Sequence, residues 1–130
     1  MTLSVADRLG LLDLLTRADA AASARDANAY LALFTSDAVL DGDQGTYRGH
    51  EALRAGLAEV WGAEPAGTLH LTLNPVIDAD PALPAAAVAR SVLLIIAPGT
   101  PPALVGTAHI TQHLRGGADG WRITRRRVER

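Results

Sequence analysis

The chain has 130 residues, no cysteine, four histidines, 12 basic residues that are all arginine and 14 acidic residues, for a net charge of -2. This length suits a single domain, taken here as residues 1–130. The missing thiols exclude a disulfide framework, a thiolate nucleophile and a sulfur-rich zinc site.

The first element is a helix over residues 4–24, opened by Ser4, with the Asp7 carboxylate among the free amides of the first turn and Leu11, Leu12, Leu14 and Leu15 on its apolar side. Asp7, Arg8 and Asp13 interrupt the stretch where a signal peptide needs an apolar core, and no run approaches eighteen apolar residues, so a cytoplasmic protein without membrane partners is expected. A shorter helix follows Asp26, which caps it, while Tyr30, Leu33 and Phe34 recur at helical spacing. Residues 35–37 end this layer, and 38–40 read as a short extended segment reaching the Asp41-Gly42-Asp43 turn. A third helix spans 49–61 with Leu53, Leu57, Val60 and Trp61 on one side. Four strands then follow at 69–77, 85–96, 103–114 and 121–128, joined by reversals that favour antiparallel pairing.

Helices first and sheet second give an α+β domain in which each layer buries the other's apolar face. Strand 85–96 is more apolar than alternation requires, which predicts cover on both faces, the outer one from a second subunit in a homodimer. The arginine-rich end, six arginines against two acids over 115–130, is divided between two faces by alternation, so no nucleic-acid partner is expected.

Alternation places His70, Thr72, Asn74 and Val76 on one face of the first long strand. That face is either solvated or lines a cavity, because a buried imidazole and amide need partners. His109, Thr111 and His113 repeat the pattern on a later strand, and together the two strands would floor a polar pocket beneath apolar helix residues such as Trp61. His109 and His113 are too far apart along a strand to share a metal ion, and no other ligand pattern or phosphate cradle accompanies them, so neither metal nor cofactor is expected.

The segments Asp26-Ala27-Asn28-Ala29-Tyr30-Leu31-Ala32-Leu33-Phe34-Thr35-Ser36-Asp37-Ala38-Val39, Tyr47-Arg48-Gly49-His50-Glu51-Ala52-Leu53, His70-Leu71-Thr72-Leu73-Asn74-Pro75 and Gly120-Trp121-Arg122-Ile123 come in an order that resembles the SnoaL-like branch of the nuclear-transport-factor-2-like superfamily. The resemblance implies a cone-shaped roll, three N-terminal helical segments on a curved, mainly antiparallel sheet, with a pocket and frequent dimerisation. Its members include polyketide cyclases, scytalone-dehydratase-like lyases, ketosteroid isomerases, dioxygenase small subunits and noncatalytic binding domains. His70 matches the position of the acid or base histidine of dehydratase-like relatives, whereas Ser23 stands where they carry an aspartate.

These readings converge on histidine-assisted proton transfer (dehydration, isomerisation or cyclisation) on a small apolar or aromatic oxygenated ligand. The catalytic candidates are His70, His109 and Asp26, and the substrate-binding candidates are Tyr30, Asn74, Trp61 and Thr72. The alternative is a domain that binds such a ligand without turning it over.

Overall fold

The computed structural model describes residues 2–130. Helix α1 (Val5–Ala24) is started by a capping box, in which the Ser4 hydroxyl accepts from the Asp7 amide and the Asp7 carboxylate from the Ser4 amide, and it ends at Arg25 in the left-handed conformation. Helix α2 (Ala27–Leu31) is capped by Asp26, whose side chain accepts from the Ala29 amide. Strands β1 (Phe34–Gly42) and β2 (Gly45–Arg48) form a hairpin, and α3 (Gly49–Gly62) follows. Strands β3 (Leu69–Ala79), β4 (Ala86–Ala97), β5 (Ala103–Gly117) and β6 (Gly120–Glu129) complete one sheet of order β2-β1-β6-β5-β4-β3. All pairings are antiparallel except β1 with β6. This is the expected α+β roll, with β1 longer than residues 38–40 because it already begins at Phe34, which is buried in the core and pairs with Ile123 of β6 instead of continuing the helix before it.

Helix α1 lies along the open edge of β3 and satisfies its free amides with side chains. The Asp19 carboxylate accepts from the Thr72 amide (2.6 Å) and hydroxyl (2.8 Å), and the Ser23 hydroxyl accepts from the His70 amide (3.0 Å). Near the other end of the helix, Arg8 donates to the Ile77 carbonyl at 2.9 Å. An edge strand with its amides engaged is closed to further strand pairing and cannot slip in register.

Two bulges decide which side chains point inward. In β3 an extra residue falls between Leu73 and Val76, where Asn74 has a left-handed backbone (φ 54°) and Pro75 follows. Before it His70 faces the helices; after it the buried residue is Ile77, and Asn74 is exposed. The single alternating face drawn through His70, Thr72, Asn74 and Val76 is therefore broken. In β6 the extra residue is at Thr124: Leu114 pairs with Ile123 and Gln112 with Arg126, so Ile123 and Arg126 share the inner face although three residues apart. Strict alternation would put Arg126 on the face opposite Ile123, and the bulge corrects this.

The core joins α1, α2 and α3 to the inner face through Leu11, Leu14, Leu31, Leu53, Leu57, Leu114 and Ile123. A smaller cluster, Leu93, Ile95, Ala108 and Ile110, carries the inner face toward the other end of the sheet.

On the outer face Asp41 accepts from Arg125 at 2.6 and 2.7 Å and from the Thr46 hydroxyl at 2.8 Å. Burial alone would raise its pKa; the Thr46 hydroxyl, Arg125 and Arg127 outweigh that and hold it below the usual 3.8. A depressed folded value contributes stability above the unfolded value, and that contribution is lost as pH falls through the folded one. Asp41→Asn should therefore cost about 1–2 kcal/mol at pH 7 in urea unfolding. The gap to wild type should close as the pH falls below about 4.

Candidate functional site

A cavity of about 280 Å³ opens between the inner face of the sheet and the helices. Ala22 of α1, Tyr30 of α2, and Leu57, Val60 and Trp61 of α3 cover it, while His70, Leu93, Ile95, Arg126 and Val128 come from the sheet. Asp43, Gln44 and Arg130 stand at the same opening, with Arg130 Nε 3.1 Å from Asp43 Oδ2 and both side chains half exposed. Mostly apolar walls with a few convergent polar groups are the usual make-up of a small-molecule site.

The principal polar contact is between His70 Nε2 and Glu64 Oε1, 2.8 Å apart, with side chains only 7% and 10% exposed. A carboxylate can only accept, so with Glu64 ionised the proton lies on Nε2, and Nδ1 is the nitrogen left to take another. Glu64 belongs to the loop between α3 and β3, and that loop is pinned from outside the cavity. The Arg25 guanidinium donates to the carbonyls of Glu64 (2.7 Å) and Pro65 (2.8 Å), and the Thr68 hydroxyl donates to Pro65 (2.6 Å). Arg25 reaches this loop because α1 ends at that residue in a left-handed turn.

Tyr30 and Trp61 meet edge to face with ring centroids 5.5 Å apart, and the Phe34 ring lies tilted against Tyr30 at 4.9 Å. Burial pushes the Tyr30 phenol above its usual pKa; the Arg126 charge works against this shift and Asp19 with it. The phenol is therefore a hydrogen-bond donor at neutral pH.

The sequence candidates divide cleanly in space. His70, Tyr30 and Trp61 line the cavity. His109 does not: it is exposed on the outer face of β5, since Ala108, Ile110 and Gln112 occupy the inner one, so the two imidazoles do not share a chamber. Asp26 is exposed and engaged as the α2 cap. Thr72 is held by Asp19 outside the cavity, and Asn74 sits at the exposed bulge. Among the described residues no group of three or more His, Asp or Glu side chains is placed to hold a metal ion, and no helix is long and apolar enough to cross a membrane.

Two cavity residues escaped the sequence reading. Glu64 lies in a loop whose Pro65 and Gly67 suggest only a turn; the available signal was a carboxylate six residues before a candidate histidine. Arg126 lies in the arginine-rich strand, where alternation puts it on the face opposite Ile123, and only the bulge at Thr124 brings it inside.

A family model described as a SnoaL-like domain matches residues 4–127. The chain belongs to the SnoaL-like family. Among solved structures this SnoaL-like domain is similar to a protein of unknown function with a cystatin-like fold from Nostoc punctiforme (26% identity, TM-score 0.88, 99% of this chain and 94% of that one). It is also similar to a nuclear-transport-factor-2-like protein from Novosphingobium aromaticivorans (19%, TM-score 0.80, 95% and 81%). A third similar structure, from Catenulispora acidiphila, was solved in complex with S-DNPA (22%, TM-score 0.83, 97% and 94%). The curated proteins contain no match to this SnoaL-like domain.

Arg25→Met removes the two guanidinium tethers of the Glu64 loop, leaving that of Thr68, without touching the cavity wall. Amide hydrogen exchange over residues 63–68 should accelerate at least tenfold while the middle of α1 is unchanged. Unaltered exchange in the loop would show that Thr68 alone holds it.

Proposed function

We propose that this domain is a small-molecule enzyme in which the His70–Glu64 pair transfers a proton on a largely apolar, oxygenated substrate. The observation that carries this reading is the position of the pair: a hydrogen-bonded imidazole and carboxylate, both nearly buried, in the wall of a cavity whose other lining is largely aromatic and aliphatic, with Arg126 inside it and Asp43, Gln44 and Arg130 at its opening. Glu64 holds the Nε2 proton and stabilises the imidazolium that forms when Nδ1 accepts a proton from a carbon next to a carbonyl. The imidazolium then returns that proton: to another carbon of the delocalised anion, giving an isomer; to the alkoxide oxygen left when the carbanion adds to a second carbonyl of the same substrate, giving a ring; or to a departing hydroxyl, which leaves as water. The Tyr30 hydroxyl donates to the substrate oxygen as charge builds on it, and Trp61, Leu57 and Val60 exclude water. The Catenulispora relative, solved with S-DNPA, supports the view that this fold holds a ligand.

A second reading, binding without turnover, is favoured by the fact that Glu64 already satisfies the imidazole within the protein. A turnover screen of cyclic ketones and hydroxyketones separates the two. With a substrate in hand, His70→Gln should lower kcat by 10²–10⁴-fold, and Glu64→Gln should lower it as well while leaving the substrate's affinity within a few-fold. Binding without conversion by the wild type supports the receptor reading. An unchanged kcat in a folded H70Q protein refutes the proton-transfer role.

We also propose that the domain is a homodimer. The outer face of β3 and β5 exposes Leu69, Leu71, Leu73, Leu104 and Val105, next to the partly buried Val92, Leu94 and Ile96 of β4. An apolar strip of this kind is self-complementary across a two-fold axis. Light scattering should give twice the 13.6 kDa chain mass for the wild type and the single mass for Leu71→Glu. A wild type that is monomeric at all concentrations contradicts this.

A further inference from the structure

We propose that the Arg126 part of the cavity is an anion anchor and that the ligand of this site is a largely apolar molecule bearing one carboxylate. The inference rests on the reading of the cavity as the ligand site and is independent of whether the ligand is turned over. Arg126 is 4% exposed and lines the cavity. Its guanidinium donates to the Gln112 side-chain oxygen at 3.3 Å, a long bond to a neutral group, and the Gln112 amide nitrogen is itself buried without a partner.

The neighbouring arginines are different. Arg125 and Arg127 share Asp41, and Arg130 has Asp43. Among the described residues Arg126 has no carboxylate within ion-pair distance. Nor is a carboxylate of the cavity wall free to serve it, because Glu64 is bonded to His70 and Asp43 to Arg130.

A buried guanidinium without a counter-charge is costly, and it leaves donors of a planar fork unused. A ligand carboxylate matches that fork with two parallel hydrogen bonds and supplies the missing charge. Two arginines line the cavity, but Arg130 is paired with Asp43 at the opening, and the one unpaired guanidinium, that of Arg126, fits a monoanion better than a phosphate, which calls for several donors or a second free cation. Tyr30, which lines the same cavity from the helical side and lies within the field of Arg126, adds a neutral donor to the anion's surroundings.

The direct experiment is calorimetric titration of the full chain at pH 7 with 2-naphthoic acid and with its neutral counterpart 2-naphthamide. The acid should bind at least tenfold more tightly than the amide. The double variant Arg126→Met with Gln112→Met, which removes the charge and its buried partner together, should abolish that preference while keeping the amide's affinity within about threefold. If the double variant does not fold, Arg126→Lys, which keeps the charge but loses the fork, should reduce the preference; an unchanged ratio overturns the proposal. A wild-type preference below tenfold, or one that survives in the double variant, overturns the anchor and leaves the cavity standing as a neutral-ligand site. Failure of both probes to bind at millimolar concentration overturns the cavity reading and the anchor with it. Preference for the acid in a protein that turns nothing over upholds the anchor and rejects only the catalytic reading.

Discussion

The arrangement depends on how α1 closes the open edge of β3. An edge strand offers free amides to water or to another chain. Here Asp19 and Ser23 take up the amides of Thr72 and His70. This fixes the strand in register with its imidazole turned inward, and it brings the end of α1 to the place where Arg25 can seat the Glu64 loop. The same few contacts therefore stabilise the edge and assemble the two halves of the His70–Glu64 pair. Ser23 is informative in this respect: where the resemblance leads one to expect a carboxylate facing the pocket, this chain carries a hydroxyl that holds the backbone, and the carboxylate next to the histidine comes from the opposite side, on the loop after α3.

The cavity combines two kinds of polar wall residue with different energetic standing. His70 and Glu64 satisfy each other, so their burial is compatible with a stable resting state. Arg126 is not balanced in this way, and the buried Gln112 beneath it retains an unused amide nitrogen. Sites that bind tightly commonly keep such uncompensated groups, since a group already satisfied within the protein gains little from a ligand. The aromatic cover of Tyr30 and Trp61 lowers the local polarity and strengthens both sets of contacts.

The architecture was legible in the sequence wherever one period governed a whole element. The Ser4 start, the Asp26 cap, the third helix and all four long strands lie within a few residues of their expected positions, because capping chemistry and apolar periodicity are local. The site was legible only in part. His70, Tyr30 and Trp61, which alternation and helical spacing single out, line the cavity. His109 and Asn74 were misplaced for physical reasons: which face of β5 turns inward is a tertiary choice that a two-residue period cannot make, and a bulge resets the period in the middle of a strand. Asn74-Pro75 is the local mark of one bulge; the bulge at Thr124, which carries Arg126 inward, has no comparable residue signature. Glu64 was invisible because loop residues have no period at all.

In the proposed mechanism Glu64 holds the proton on one nitrogen of His70 and leaves the other free to work as a base. Nitrogen-15 chemical shifts of the His70 ring, recorded where the imidazole is neutral, report this directly. The wild type should show a protonated Nε2 and a bare Nδ1, with that preference weakened in Glu64→Gln. A proton resident on Nδ1, or a tautomer indifferent to residue 64, would contradict it.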